Sequence, residues 1–338
     1  MRPFLHWRGC ASVRTAFAWF AATLPADRRK AAAGHPLSFC AFLPTPSAVK
    51  VGGMIVHLSD RKVIRVHGED ARDFLNNLLT NDIGAVAEGH PVWAALLTAQ
   101  GKLIADMIVW QGGSGGDGRE EILLDLHADR CDAALTALRR YRLRRPLDID
   151  PVEQRVFAAW DEPLIVAPAD PRSAELGQRW LAATANLSGE LDDYHARRIM
   201  LGVPDSPDFE PDKLMWLESN ADRLGGVSFT KGCFVGQENT ARMNYRAKVR
   251  KRVLPVALST GPGEDRDIVT GGGKTAGTLM SVAETPDGIR GMAHLRLEYA
   301  GEPMRVNGAD LHVKWPDWLP REEAMGEAEE NEGEGKTG

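Results

Sequence analysis

The chain has 338 residues, of which 43% are hydrophobic and 26% are charged, and 41 Lys and Arg against 47 Asp and Glu give a net charge of −6. This composition excludes a disordered chain and a coiled coil, and no run approaches the roughly 18 to 20 apolar residues of a transmembrane helix, so no membrane partner is predicted. The four cysteines form no CxxC pair, which predicts no disulfide framework, no permanently bound metal and a reducing, cytoplasmic location.

The two ends of the chain differ from its middle in charge. Residues 1–53 hold seven basic residues and one acid without sustained periodicity, and we interpret them as a poorly ordered N-terminal extension. Three alternatives stay open: a secretion signal, a transit peptide that would make the protein mitochondrial, or a stretch preceding a natural start at Met54. Residues 318–338 are rich in Glu and Gly and predict an acidic, disordered tail.

A first α+β domain is predicted over residues 54–146, because strand-like segments are separated by single helices without regular βαβ alternation. The first helix follows an apolar stripe at helical spacing, formed by Ala71, Phe74, Leu75, Leu78 and Leu79. A second helix, over about 129–143, ends in several arginines, which suit the negative end of a helix dipole.

Two further domains are predicted downstream. Residues 147–250 read as a second α+β domain, in which a helix over 190–201 has Ser188 as a candidate N-cap and Gly202 as a left-handed stop. Residues 251–317 contain short strand-like runs separated by Gly, Pro and Asp turns and almost no helical stripe. They predict a small β-barrel or β-sandwich.

Asp106 is the only charged residue in the strand-like run 103–110, where alternation places it on one face with Ile104, Ile108 and Trp110. A carboxylate on an apolar face is costly unless a donor meets it. Asp106 therefore predicts either a strand end or exposed face, or a carboxylate that lines a ligand pocket.

Tyr194 and Arg198 share one face of the predicted helix 190–201, whereas Arg197 points elsewhere. An inward arginine needs an acceptor. A structural ion pair and the binding of an anionic ligand are the two alternatives for Arg198.

The most specific motif is Lys231-Gly232-Cys233-Phe234-Val235-Gly236-Gln237-Glu238. The two glycines predict a tight loop around Cys233, and the residues from Gln237 onward resemble the start of a helix. A cysteine close to helix amides and to Lys231 is expected to have stabilised thiolate character. An inert loop cysteine is the alternative.

A basic segment follows this motif and has no acidic residue between its first and last base. It consists of Arg242, Arg246, Lys248, Arg250, Lys251 and Arg252. Such a run contacts phosphates or a polyanion, or forms a solvated face. Aromatic interleaving is limited to Tyr245, so the sequence does not favour direct nucleic-acid binding.

These residues resemble the YgfZ-type folate-binding proteins, iron–sulfur cluster assembly relatives of the glycine-cleavage T-protein (aminomethyltransferase). The octapeptide 231–238 matches the family signature K-G-C-aromatic-x-G-Q-E, and further matches lie at 74–82, 100–106, 198–204 and 242–252. The resemblance covers about residues 55–315 and implies an α+β fold, a three-domain cloverleaf of T-protein type with a C-terminal β-barrel.

The resemblance also implies site residues. Asp106 occupies the place of the carboxylate that contacts the reacting folate nitrogen, and Tyr194, Arg198 and Asn81 fall on the folate side. The Gly-Phe-Glu of the T-protein, whose Glu holds the pterin, is replaced by Gly177-Gln178-Arg179. The implied cofactor is tetrahydrofolate or a derivative, with Cys233, Lys231 and Asp106 as the chemical residues and Arg242 and Arg246 as basic contacts.

Three functions follow from this resemblance. The first hypothesis is a folate-binding accessory factor that assembles, inserts or repairs [4Fe–4S] clusters in client enzymes, with the iron–sulfur assembly machinery as its partner. The second is a folate-dependent aminomethyl or one-carbon transferase. The third is an adaptor linked to tRNA modification.

Overall fold

Three β-sheets organise the described part of the chain. A computed structural model describes residues 53–113, 118–164, 167–210, 212–247 and 249–324. Every strand pair in the three sheets is antiparallel. Mixed helix and sheet with a terminal barrel is the fold class that the sequence predicts.

The first sheet has five strands in the order β3-β4-β5-β2-β6. Its strands are β2 (Arg61–His67), β3 (Val92–Leu97), β4 (Leu103–Gln111), β5 (Glu121–His127) and β6 (Asp148–Val152). Helices α1 (Ala71–Asn76) and α2 (Ala128–Arg142) bury their apolar faces against one side of this sheet. The opposite side faces a second hydrophobic core.

The second sheet is β1 (Met54–His57), β7 (Arg155–Trp160) and β8 (Gln178–Ala182), in the order β1-β7-β8. Strand β1 thus pairs with a strand from beyond residue 147, and β6 completes the first sheet from the far side of the predicted boundary at 146/147. Hydrogen-bonded pairing between strands is non-local, so local sequence patterns alone do not specify this exchange.

The third sheet is a closed six-stranded barrel in the order β10-β11-β12-β9-β14-β13. Its strands are β9 (Lys251–Leu258), β10 (Asp267–Thr270), β11 (Thr275–Thr285), β12 (Gly288–Arg296), β13 (Met304–Val306) and β14 (Ala309–Val313). The barrel alternative is confirmed. The predicted tail begins too early, because Leu319 and Ala324 are buried in the barrel core and the Trp318 indole donates to the Leu201 carbonyl at 3.1 Å.

The remaining helices are α3 (Leu191–Met200) and α4 (Gln237–Arg242). Helix α3 is capped by Glu190, whose amide donates to Asp193; the predicted cap, Ser188, instead accepts from the Ile55 amide at 2.8 Å. No described helix is long and apolar enough to cross a membrane. Short 3-10 helices lie at Ile83–Ala85, Ala174–Leu176, Ser206–Asp208, Trp216–Ser219 and Leu297–Tyr299, and a π-helical turn lies at Met243–Ala247.

Strand β4 contains an irregularity that the alternation pattern missed. Ala105 pairs with Leu96 and Leu103 with Leu97, so Ile104 is an extra residue in the ladder. This bulge turns Ile104 toward the helix-covered core, whereas Asp106 stays on the opposite side with Ile108 and Trp110.

Candidate functional site

The loop that carries Cys233 is held open by glycine and anchored by an aromatic ring. Gly232 adopts a φ of +106°, a conformation that residues with a Cβ rarely take. Phe234 is buried in the core between the sheets, whereas Cys233 is exposed and forms no disulfide. The loop therefore presents its thiol to solvent while the next side chain fixes it to the protein.

Lys231 ties this loop to the first domain. Its Nζ donates to the backbone carbonyl of Asn76 at the end of α1 and lies 5.4 Å from the centre of the Phe234 ring. Burial disfavours the ammonium ion and lowers the pKa of Lys231 to about 8, against a smaller opposing effect of Asp82. Lys231 is thus a partly desolvated cation beside the Cys233 loop.

The far end of the motif docks on the turn between β3 and β4. Gly236 has a φ of +82°, and a Cβ there would lie 2.7 Å from the Thr98 carbonyl oxygen and 3.0 Å from the Gly101 Cα. The Asn239 side chain donates to the Gln100 carbonyl at 2.8 Å. Residues 100–102 and 231–238 both match the family that the sequence resembles, and the structure places these two segments in contact.

Asn81 positions a second segment that leads into the motif. Its amide donates to the carbonyls of Trp93 at 2.8 Å and Gly225 at 2.7 Å, and its side-chain oxygen accepts from the Asp82 amide. The amide is thus engaged with backbone groups on both sides, and the predicted folate contact of Asn81 stays untested.

Asp106 lies inside the protein rather than at an open pocket. It is 1% exposed; its Oδ2 accepts from the Trp93 indole at 3.1 Å and its Oδ1 accepts from the Ser206 hydroxyl. The donors that the sequence analysis required are therefore supplied by the protein itself.

A buried ion-pair network lies beside Asp106. Asp125 on β5 accepts from the Arg61 Nε at 2.7 Å and from the Arg179 Nε at 2.8 Å. Asp205 accepts from the Arg61 Nη1 at 2.9 Å and the Arg172 Nη1 at 3.1 Å. This network connects the first sheet, the second sheet and the segment that follows α3.

Tyr194 belongs to the same network. Its hydroxyl accepts from the Arg172 Nη2 at 2.6 Å and the Arg179 Nη1 at 3.1 Å. Burial raises the pKa of this hydroxyl despite the two nearby guanidinium groups, which keeps it neutral. Tyr194 faces inward as the helix spacing predicts.

Arg198 makes the ion pair that the sequence analysis weighed against ligand binding. It is 1% exposed, and its Nη1 lies 2.5 Å from the Asp208 Oδ2. Its Nε donates to the His195 Nδ1 at 3.0 Å and its Nη2 to the Ser281 hydroxyl of the barrel at 3.3 Å. Arg198 therefore links helix α3 to the barrel.

These contacts correct the expectation that the predicted folate residues line an opening. Asp106, Tyr194 and Arg198 are each at most 2% exposed, and their hydrogen-bonding groups have partners within the protein. Arg179, at the position of the pterin-holding glutamate, is fully buried against Asp125. This arrangement does not fit a preformed pteridine cradle, and we derive no chemical step through folate.

The basic segment is divided by the structure. Arg242 is exposed on α4 beside the motif, whereas Arg252 is 1% exposed and pairs with Asp222 at 2.9 Å. Arg252 is therefore structural and corrects the prediction of one continuous phosphate-contacting run. The backbone of Arg246 lies in the π-helical turn, but its side chain is outside the described part of the chain. Lys248 is wholly outside the described part.

Sequence reasoning missed most of the ion-pair network. Asp125 carried a similar signal to Asp106, because each is a carboxylate flanked on both sides by apolar residues within a strand. The partners of Asp125 come from distant segments, and no local pattern marks Arg61 or Arg172.

The described residues contain no group of three or more His, Cys, Asp or Glu side chains placed to hold a metal ion. One thiolate is also too few for a [4Fe–4S] cluster, which normally takes about four cysteine ligands. Within this part of the chain, Cys233 is a single exposed thiol on a loop that Lys231 anchors to the end of α1.

The fold and the barrel define the class of protein. Residues 250–321 match the family described as CAF17, C-terminal beta-barrel domain. The aminomethyltransferase T of the glycine cleavage system from Bartonella henselae superposes with a TM-score of 0.64 at 15% identity, over 79% of this chain and 86% of that protein. The chain thus has the aminomethyltransferase fold with a CAF17-type barrel.

Sequence relatives then identify the family. The human protein named iron-sulfur cluster assembly factor IBA57, mitochondrial, is 31% identical over 308 residues, covering 78% of this chain and 84% of the relative. The Neurospora crassa homolog is 30% identical over 250 residues, and that match covers 65% of this chain and 56% of the relative's length. The chain belongs to the IBA57 family of iron–sulfur cluster assembly factors.

This membership confirms the resemblance at the level of the wider family, in which YgfZ is a bacterial relative. The relatives described above are of the IBA57 type. The relatives are named as mitochondrial proteins. They do not support the predicted cytoplasmic location, and they fit the mitochondrial alternative.

Proposed function

We propose that this protein is an accessory factor for the assembly, insertion or repair of [4Fe–4S] clusters in client enzymes, and that Cys233 is its working thiol. The observation that carries the proposal is that Cys233 is exposed on the loop formed by the family-signature octapeptide. Lys231 and Gly236 hold this loop against the first domain. The relatives are named as iron–sulfur cluster assembly factors, which supports the first part of the proposal.

The Cys233 thiol acts in this proposal by transient contact with a cluster that a partner carries. Iron binds the thiolate, so the thiol proton must leave before the sulfur can ligate. The remaining ligands come from the partner, because the other described cysteine, Cys131, is buried in the core between the first sheet and its helices. The partners are the iron–sulfur assembly machinery and the client enzymes.

Replacement of the thiol tests this proposal. We expect Cys233→Ala to fold like the parent protein and to lower the activity of [4Fe–4S] enzymes in cells that depend on this chain. Cys131→Ala is the matched control, since Cys131 is buried behind the first sheet and should leave client activity unchanged when the variant folds. Normal client activity in a folded Cys233→Ala protein would refute the role of this thiol.

Reduced folate has no step in this proposal, because the side chains assigned to it are engaged internally. Titration of the full chain with tetrahydrofolate, followed by tryptophan fluorescence, tests the prediction from the resemblance. Saturable quenching that Asp106→Asn abolishes would return folate to the mechanism. The aminomethyltransferase and tRNA-adaptor alternatives gain no support from the contacts of Asp106 and Arg252.

A mitochondrial site of action accompanies this proposal, with residues 1–53 as the transit segment. These residues lie almost wholly outside the described part of the chain. Fusion of residues 1–53 to a fluorescent protein tests it. Uniform cytoplasmic fluorescence in a eukaryotic cell would contradict the mitochondrial location without affecting the role of Cys233.

A further inference from the structure

The end of helix α2 forms a basic projection that the proposed function does not use. We call it the arginine tip, and it consists of Arg139, Arg140, Arg142, Leu143, Arg144 and Arg145. A helix dipole accounts for cations in the last helical turn, which ends at Arg142. It does not account for Leu143, Arg144 and Arg145, which come after the helix.

Leu143 is the unusual residue of the arginine tip. It is 82% exposed, the largest value among the exposed large hydrophobic residues of the described part. Its φ of 51° and ψ of −114° lie in a region that favours glycine, so this leucine is neither buried nor in a preferred backbone conformation. This side chain is therefore available to an external apolar partner, and its surroundings decide which kind of partner would suit it.

Four of the arginines around Leu143 fall into two groups, and the fifth, Arg145, has its guanidinium 5.8 Å from the centre of the Phe74 ring. Arg139 donates to the Ile149 carbonyl and pairs with Asp150 at 3.0 Å, and Arg142 donates to the Leu147 carbonyl, so these two brace the turn. The side chains of Arg140 and Arg144 are exposed and make no hydrogen bond or ion pair with another described residue. They leave positive charge beside the leucine.

We propose that the arginine tip binds the surface of a membrane that contains anionic phospholipids, with Leu143 inserted between headgroups and Arg140 and Arg144 at lipid phosphates. An apolar side chain ringed by arginines suits this interface, because acyl chains and phosphates lie a few ångströms apart there. A nucleic-acid backbone would use the arginines and leave Leu143 exposed. The sequence predicts no membrane partner because it has no membrane-spanning run. A peripheral contact with the membrane surface does not require such a run.

Vesicle co-sedimentation with the full chain tests this proposal. We expect binding to vesicles of equal parts phosphatidylcholine and phosphatidylglycerol, no binding to phosphatidylcholine alone, and weakening as salt rises. Arg140→Glu/Arg144→Glu should weaken binding at least about tenfold. Leu143→Gly should weaken it about three- to tenfold without a change of charge, and should fold normally because glycine relieves the backbone.

The matched control is Arg266→Glu/Arg321→Glu, which makes the same change of net charge at exposed positions elsewhere. All variants share the basic residues of 1–53, so any vesicle binding by that segment remains in the control as well. Equal weakening by this control, unchanged binding of Leu143→Gly, or no binding to the mixed vesicles would overturn the proposal. Binding of duplex RNA that the Arg140→Glu/Arg144→Glu pair abolishes, with unchanged vesicle binding, would assign the arginine tip to nucleic acid instead.

Discussion

Arg197 and Arg198 are adjacent on helix α3 and have opposite environments. Arg198 is buried against Asp208, whereas Arg197 is partly exposed and lies 5.5 Å from the Trp160 ring. We expect Arg198→Leu to lower the free energy of unfolding by about 3–5 kcal/mol, because it leaves Asp208 buried without its cation. Arg197→Leu should cost less than about 1 kcal/mol. Urea denaturation of both variants measures this, and equal losses would contradict the ion-pair role.

Lys231 should titrate at an unusual pH. Because burial lowers its pKa to about 8, acylation of Lys231 followed by peptide mass spectrometry should show an inflection near pH 8, with exposed Lys102 as the internal comparison. Asp82 opposes this shift. Asp82→Asn should therefore move the inflection to lower pH. A shift to higher pH would contradict the expectation that Asp82 raises the pKa of Lys231.

At the scale of elements, the position of the Cys233 loop depends on how closely α4 approaches the β3–β4 turn. Gly236→Ala places a methyl group 2.7 Å from the Thr98 carbonyl at a positive φ, and we expect it to lower the free energy of unfolding by about 3 kcal/mol. Gly232→Ala has the same backbone penalty but open space around its Cβ, and should cost about 1 kcal/mol.

Chemical denaturation compares these two glycine variants directly. If Gly232→Ala destabilises the protein as much as Gly236→Ala, backbone strain rather than close packing governs the loop. The rate of Cys233 alkylation supplies a second readout, since a loop detached from its turn should expose the thiol further.

At the scale of the whole molecule, one core and one ion-pair network join the three sheets. The core between the sheets contains Trp93 from the first sheet, Val156 from the second and Val253 from the barrel. Arg61, Asp125 and Arg179 connect the first two sheets, and Arg198 reaches the barrel. These shared contacts couple the folding of the three parts.

This network predicts how stability depends on pH. Burial disfavours ionised Asp205, yet Arg61 and Arg172 hold its pKa well below the usual range, and Arg172 also lowers the pKa of Asp170. A carboxylate whose folded pKa is lowered stabilises the protein above the unfolded pKa of about 3.9, and this contribution is lost as the pH falls further.

We therefore expect the free energy of unfolding to fall steeply below about pH 4. Asp205→Asn should be less stable at neutral pH and should show a shallower acid dependence. Urea denaturation at a series of pH values measures both effects. An acid slope that stays the same in Asp205→Asn would show that other carboxylates govern acid stability.

The sequence by itself determined the local elements and the motif. The helix predicted over about 129–143 agrees with α2 within one residue at each end, alternation predicts β4, and Gly202 ends α3 at a φ of +70°. Apolar period, capping and glycine preference act between residues a few positions apart, so they can be read from the chain. The octapeptide 231–238 likewise identifies the wider family from the sequence alone.

Only the tertiary structure decided which charged groups meet. The sequence predicts an inward Arg198, and for Asp106 either an exposed face or a ligand pocket. The structure buries both and gives each a partner within the protein: Ser206 and Trp93 for Asp106, and Asp208 for Arg198. The same holds for β1 and β6, which pair across a predicted domain boundary. Burial of a charge is stable only with a partner, and that partner comes from any distance along the chain, so its identity emerges when the sheets pack.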